Sequence, residues 1–251
     1  MKRILLDCDP GIDDSVAILF ALKSPALKVQ AIPAVSGNLT ADQTAINVLK
    51  MLELIGAEDI PVSRGMVKPL VRPYPKDPFF HGHDGLGNTN LPHPKLRLDP
   101  RFAADLIVET VDQFSDDITL VATGPLTNIA LALMKDPTIV DKVERLILIG
   151  GAFGFNQYAY QFATGDNPVS EWNIYVDPEA ARLVFHSGLP ITAIGGDVFA
   201  HPDINLRDEH IRALEKAVNR ESSYMLALLR FIQARGFLFC ANITTGRDAR
   251  A

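Results

Sequence analysis

The sequence predicts an α/β fold: an open, mostly parallel sheet with helices on both faces. Three observations carry this. Strand-like and helix-like stretches alternate along the 251 residues, as repeated βαβ units require. Each strand-like stretch ends in polar or glycine residues, which gathers those residues at one edge of the sheet. The length and the hydrophobic content of 47% suit one large domain with a substantial core.

The elements follow in order. Residues 4–6 read as a strand and residues 15–22 as a helix, with Asp7, Asp9, Asp13 and Asp14 between and beside them. Residues 27–35 read as a second strand, ending at Ser36-Gly37-Asn38. Residues 40–55 have apolar side chains near helical spacing (Ala45, Val48, Leu49, Leu52, Ile55), with Thr40 as the expected N-cap. A short strand at 60–63 leads into a polar loop from Lys68 to about Pro100, rich in Pro, Gly and His. Loops of that length are usually functional. The alternation then resumes: helix 102–114, strand 118–123, helix 128–134 opened by Gly124-Pro125, and a buried strand 146–149 ending in Gly150-Gly151. An irregular segment is expected over 152–169, then helix 178–186, and strand 191–194 ending at Gly195-Gly196-Asp197. One or two helices are expected over 209–235. The whole of 1–251 reads as a single domain, with 237–251 as an atypical tail.

Composition narrows the partners. The formal net charge is −6 and no Lys/Arg-rich block occurs, which argues against nucleic acid. The two cysteines, Cys8 and Cys240, form no disulfide framework and fit a reducing cytoplasm. The N-terminus lacks the uncharged apolar core of a signal peptide, and no apolar run is long enough to span a membrane. The expected protein is cytoplasmic, with no nucleic-acid or membrane partner.

The most informative feature is the run of four aspartates within eight residues, 7–14, at a strand-to-helix turn. Like charges so close repel unless something positive sits among them, and clustered carboxylate oxygens suit a hard divalent cation such as Ca²⁺ or Mg²⁺. Helix capping offers a plainer account of Asp13 or Asp14, because a helix N-terminus favours negative charge. It does not account for Asp7 and Asp9, which precede the Pro10-Gly11 turn.

The run Asp7-Cys8-Asp9-Pro10-Gly11-Ile12-Asp13-Asp14 closely resembles the signature of the inosine–uridine preferring nucleoside hydrolases. Ser36-Gly37-Asn38, His81-Gly82-His83-Asp84-Gly85, Thr123-Gly124-Pro125-Leu126-Thr127-Asn128 and Ile149-Gly150-Gly151 agree in order and spacing. Glu171-Trp172-Asn173-Ile174-Tyr175-Val176-Asp177-Pro178-Glu179-Ala180-Ala181 looks like the family's second hallmark. The resemblance runs from Met1 to about Gly236. It implies a nucleoside hydrolase-like fold and calcium-dependent hydrolysis of the N-glycosidic bond of ribonucleosides, to ribose and free base. A small-molecule ribonucleoside partner and a homo-oligomeric state, dimer or tetramer, are expected alongside it. It implies that Asp9, Asp14 and the Thr123 carbonyl bind Ca²⁺, and that Asp9 is the general base. It implies that Asp13, Asn38, Glu171 and Asn173 grip the ribose hydroxyls, and that His81 lies near the base. Plainer readings stand beside some of these: Asn38 as a turn residue, His81 and His83 as solvated loop residues, Trp172 and Tyr175 as packing. Asp177-Pro178 reads as a helix start, proline suiting its first position. Asp7 is expected to support its neighbours, and Asp197 matches a family aspartate.

The chain departs from the pattern in two places. Gly165-Asp166-Asn167 occupies the region where the family carries an asparagine for the ribose 5′-hydroxyl. The text after Gly236 lacks the family's His-Asp pair; Asp248 is its one acid. A truncated or divergent C-terminus is therefore expected, with weakened calcium binding and impaired activity, since affinity follows ligand count. Two other functions stay open at this stage. One is a non-catalytic or inactive relative that binds nucleoside or ribose. The other is a phosphatase of the haloacid dehalogenase type, which also begins with Asp-x-Asp after a strand.

Overall fold

The computed structural model describes residues 1–75, 80–154, 156–158, 169–204 and 206–234. Six strands form one sheet: β1 (Lys2–Asp7), β2 (Leu27–Ala34), β3 (Val62–Arg64), β4 (Thr119–Ala122), β5 (Arg145–Ile149) and β6 (Ile191–Ile194). Their order is β3-β2-β1-β4-β5-β6, and every neighbouring pair is parallel. The helices in chain order are α1 (Ile12–Lys23), α2 (Ala41–Ile55), α3 (Ala103–Gln113), α4 (Thr127–Lys135), α5 (Ile139–Lys142), α6 (Trp172–Val176), α7 (Pro178–Phe185), α8 (Gly196–Phe199), α9 (Asp208–Lys216) and α10 (Arg220–Ala234).

Alternation of side chains along β1 splits the core into two layers. Leu5 faces a cluster made with α3, α4 and α7, including Leu106, Ile107, Ile129, Leu133 and Val184. Leu6 and Cys8 face the opposite cluster, made with α1, α2 and α10, including Ile18, Val48, Leu52, Leu228 and Ile232. A strand buried on both faces has no polar side to show, which is why the central strands read as nearly continuous apolar runs. The chain winds outward from β1 in one direction and from β4 in the other. The carboxyl ends of β1 and β4 therefore flank the point where strand order reverses, the crevice in which open α/β sheets bind ligands.

Local chemistry moves several boundaries. Helix α1 starts at Ile12, three residues before the expected start, because the Asp14 carboxylate reaches back to the Gly11 N–H at 3.2 Å. Thr40 occupies the N-cap position of α2 but makes no side-chain cap bond; the Ala41 N–H donates instead to Ser36 Oγ at 2.7 Å. The stretch expected as one or two helices is two, α9 and α10. Asn219 separates them, its Oδ1 accepting from the Ser222 N–H at 2.8 Å. The short helices α5 and α6 lie where no helix was expected; four and five residues are too few to display a period. Among the described residues no helix is long and apolar enough to cross a membrane.

Candidate active site

The crevice is built from strand ends. Asp9 follows β1 and is buried, with 1% of its surface exposed. Its Oδ2 accepts from the Asn38 N–H at 2.6 Å, in the turn after β2. The Asn38 carboxamide donates back to the Asp9 carbonyl at 3.2 Å and to Asp14 Oδ2 at 3.3 Å. Thr123, just past β4, donates its hydroxyl to Asp14 Oδ1. Asn173, in α6, donates to the Thr123 carbonyl at 2.8 Å and to the Ile149 carbonyl at 2.9 Å, linking the ends of β4 and β5. Asp9, Asp14, Asn38, Thr123 and Asn173 thus form one hydrogen-bonded group.

Two glycines shape it. A Cβ on Gly37 would overlap the Asp9 carboxylate and Pro125, and one on Gly124 would stand 2.6 Å from Asp9 Oδ1. The Ser-Gly-Asn and Thr-Gly-Pro segments need their glycines so that both turns can close around Asp9.

The electrostatics are unfavourable for a group left alone. Burial pushes Asp9 well above the usual carboxylate range, repulsion from Asp14 adds to this, and the Asn38 N–H opposes it. Asp14 is pushed up to about 7 by burial, with Asp13 adding and the Thr123 hydroxyl opposing. Asp7 is pushed up to about 8 by burial, against a bond from Asn128 Nδ2 at 2.9 Å. Among the described residues no cationic side chain is among the main causes for any of these three. Asp9 Oδ1 and Asp7 Oδ2 are buried without a hydrogen-bond partner. An orphaned carboxylate oxygen beside a second buried carboxylate and a backbone carbonyl is a hard-oxygen donor set of the kind Ca²⁺ takes. Among the described residues no group of three or more His, Cys, Asp or Glu side chains closes into a metal cluster. The donors at hand are two carboxylates, Asp9 and Asp14, and the Thr123 carbonyl. They fit the ion in kind and fill part of its shell.

The remaining sequence-expected residues surround this group. Asp13, in the first turn of α1, has half of its side chain exposed. His81 is buried; its Nδ1 accepts from the Ile12 N–H at 3.0 Å and lies 3.7 Å from Asp13 Oδ1. His83 is exposed. Glu171 is the N-cap of α6. Its oxygens accept from the Asn173 N–H at 2.9 Å, the Ile174 N–H at 3.2 Å and the Gly151 N–H at 3.0 Å. Burial raises its carboxyl pKa, and those three backbone donors oppose the rise. Trp172 and Tyr175 stack on each other, centroids 6.0 Å apart. Asp177 starts α7, accepting from the Ala180 N–H at 3.0 Å, the Thr127 hydroxyl at 2.7 Å and the Leu70 N–H at 2.9 Å. Asp197 Oδ1 is buried without a hydrogen-bond partner. Residues 165–167 and 237–251, Asp248 included, lie outside the described residues.

Two asparagines had no role assigned from sequence. Asn128 donates to Asp7 and to the Ala34 carbonyl, and accepts from the Met66 N–H. Asn47 donates to the Pro10 and Asp84 carbonyls. Both are wholly buried on helices, and a carboxamide among mostly apolar helical positions was the signal available.

Comparisons with known proteins agree on one family. Residues 4–240 match the family model described as inosine-uridine preferring nucleoside hydrolase. The chain is 43% identical over 217 residues to the pyrimidine-specific ribonucleoside hydrolase RihA of Escherichia coli O9:H4 (strain HS), covering 86% of this chain and 67% of that protein. It is 42% identical over the same length to RihA of Citrobacter koseri, with the same coverage. Among solved structures, a plant nucleoside hydrolase, PpNRh1, superimposes with a TM-score of 0.80 at 36% identity, covering 94% of this chain and 74% of that one. A purine-preferring ribonucleoside hydrolase from Gardnerella vaginalis superimposes with a TM-score of 0.82 at 30% identity, covering 93% and 72%.

Proposed function

This chain belongs to the inosine-uridine preferring nucleoside hydrolase family, and on that premise we propose that it cleaves the N-glycosidic bond of ribonucleosides, giving ribose and a free base. The observation that carries the proposal is Asp9: a buried carboxylate at the strand-order reversal, one oxygen anchored and the other orphaned.

Asp9 is the general base. The Asn38 N–H holds Oδ2 in place, which leaves Oδ1 to accept the proton of the attacking water. As the glycosidic bond breaks, positive charge grows on the sugar, and the clustered carboxylates of Asp9, Asp13 and Asp14 stabilise it.

Asp13, Asn38, Glu171 and Asn173 bind the ribose hydroxyls, and His81 lies toward the base. The amide hydrogens of Asn38 are committed to Asp9 and Asp14, and those of Asn173 to two carbonyls. Their Oδ1 atoms are therefore the groups that accept from sugar hydroxyls. Asp9, Asp14 and the Thr123 carbonyl would hold Ca²⁺, which when bound acidifies and orients the attacking water and offsets the carboxylate repulsion. The protein is proposed to act in the cytoplasm as a homo-oligomer.

The test is ribose release by the purified full chain from a panel of purine and pyrimidine ribonucleosides, with and without chelator. The expected result is free ribose that is lost on chelation and restored by calcium. No ribose from any member of the panel at millimolar calcium overturns the reading in favour of a non-catalytic nucleoside binder. Turnover unaffected by chelator overturns the calcium part alone.

A further inference from the structure

On the buried face of α2, among Ala45, Val48, Met51 and Leu52, stands a fully buried Asn47. Asparagine is a weak helix former, and its carboxamide is costly to bury without partners. Here Nδ2 donates to the Pro10 carbonyl at 3.2 Å and to the Asp84 carbonyl at 2.9 Å, while Oδ1 accepts from Gln43 Nε2 at 2.9 Å. One side chain joins the aspartate turn to the Gly-rich loop that carries His81.

That loop is bonded within itself. The Gly87 N–H donates to the His81 carbonyl at 2.8 Å and the Gly85 N–H to the Gly82 carbonyl at 3.2 Å. Asp84 Oδ1 accepts from the N–H groups of Leu86 and Asn88, each at 2.8 Å. Leu86 is fully buried. Gly85, at φ +76°, packs so tightly on the Asn47 amide that a Cβ there would stand 2.9 Å from Nδ2. A loop so connected shifts as a unit. Its second tie to the aspartate turn is the bond from the Ile12 N–H to His81 Nδ1. The two ties flank Gly11, one at Pro10 and one at Ile12. A ring nitrogen that accepts from an amide N–H carries no proton, so neutral His81 bears its proton on Nε2.

We propose that Asn47 is a positioning residue: it registers the His81 loop against the aspartate turn, and so fixes which nitrogen of His81 carries the proton and where that N–H points. Only the consequence for turnover rests on the nucleoside hydrolase reading.

The experiment is long-range ¹H–¹⁵N correlation of the histidine rings in the ¹⁵N-labelled full chain, with His81 assigned by its loss in His81→Gln. The parent should show the Nε2-protonated form. Asn47→Asp keeps an acceptor for Gln43 but loses both donations, and Asn47→Leu loses all three bonds; each should show averaged tautomers. Ribose release should fall on the order of tenfold in kcat, less than the roughly hundredfold that a 1 Å misplacement can cost, with no further fall when Asn47→Asp is added to His81→Gln. Unmoved His81 signals in a folded Asn47 variant overturn the proposal, as does an equal loss of rate in the His81→Gln background. Should neither Asn47 variant fold, Gln43→Met removes only the bond that aims the amide; His81 signals unmoved in it overturn the proposal equally. A parent that releases no ribose overturns the hydrolase reading, and the ring spectra then decide this proposal by themselves.

Discussion

At the scale of the residue, Asp9 explains most of the site. It is buried, repelled by Asp14, and orphaned at Oδ1. An amide there accepts no proton from water, so Asp9→Asn should lower ribose release by on the order of 10²–10⁴, the usual worth of a general base. The same change removes a carboxyl whose charged form burial and Asp14 disfavour, so without divalent ions the variant should melt no lower than the parent. A variant that keeps parental turnover refutes the base assignment. Gly37 is the companion case. A methyl group there meets Asp9 and Pro125, both packed inside the crevice, so Gly37→Ala should reduce turnover and stability together. Steady-state kinetics beside thermal melts will show it, and an unchanged Gly37→Ala protein would mean that the turn has room to move.

At the scale of the element, two acids of the second motif stand at helix termini. Glu171 caps α6 through the Asn173 and Ile174 N–H groups and also holds the Gly151 N–H past β5, and Asp177 caps α7 while also holding α4 and the loop at Leu70. Asp177 is fully buried and makes no bond to the aspartate cluster. Asp177→Ala removes a cap and strands two further donors. It should cost roughly 2–4 kcal/mol by urea denaturation, from the ordinary worth of a cap and of buried hydrogen bonds. The folded fraction should keep its kcat within a few-fold of the parent. A collapse of kcat with stability intact would place Asp177 in the chemistry instead.

At the scale of the whole molecule, the three buried carboxyls couple stability to pH. Asp7 and Asp14 have folded pKa values of about 8 and about 7, above the ordinary carboxylate value of 3.8. A raised folded pKa means the native state binds more protons than the unfolded chain between those values. The stabilising contribution is therefore full below about pH 4 and is lost as pH rises toward about 8. Protein stripped of divalent ions should show a melting temperature that falls over this window at fixed ionic strength. Millimolar calcium should raise the upper end of the curve and flatten it, because a ligand that binds only the folded state stabilises it. A flat metal-free curve would show that these carboxyls are better solvated than their burial implies.

The sequence by itself determined the fold class, the strand ends that meet at the crevice, and the cluster of Asp9, Asp14, Asn38, Thr123 and Asn173. Most of these rest on local signals (apolar runs, glycine-bearing turns, and carboxylates too dense to be caps alone), while Asn173 rests on the resemblance of its segment to a family motif. It also gave Asp177 its helix-start role, which rests on neighbours within the same turn. Only the tertiary structure decided which oxygens are orphaned and which are spent. Glu171 Oε2 and the amide hydrogens of Asn173 turn out to be committed to backbone groups, through partners as far away as Thr123, 50 residues distant, while Glu171 Oε1 accepts from one N–H and keeps room for a hydroxyl. The roles of Asn47 and Asn128 were illegible for the same reason. Asn128 meets Asp7 across 121 residues and Asn47 meets Pro10 across 37. A hydrogen bond between residues so far apart in the chain leaves no period or spacing to read, because the sheet's strand order, not the sequence distance, brings the two groups together.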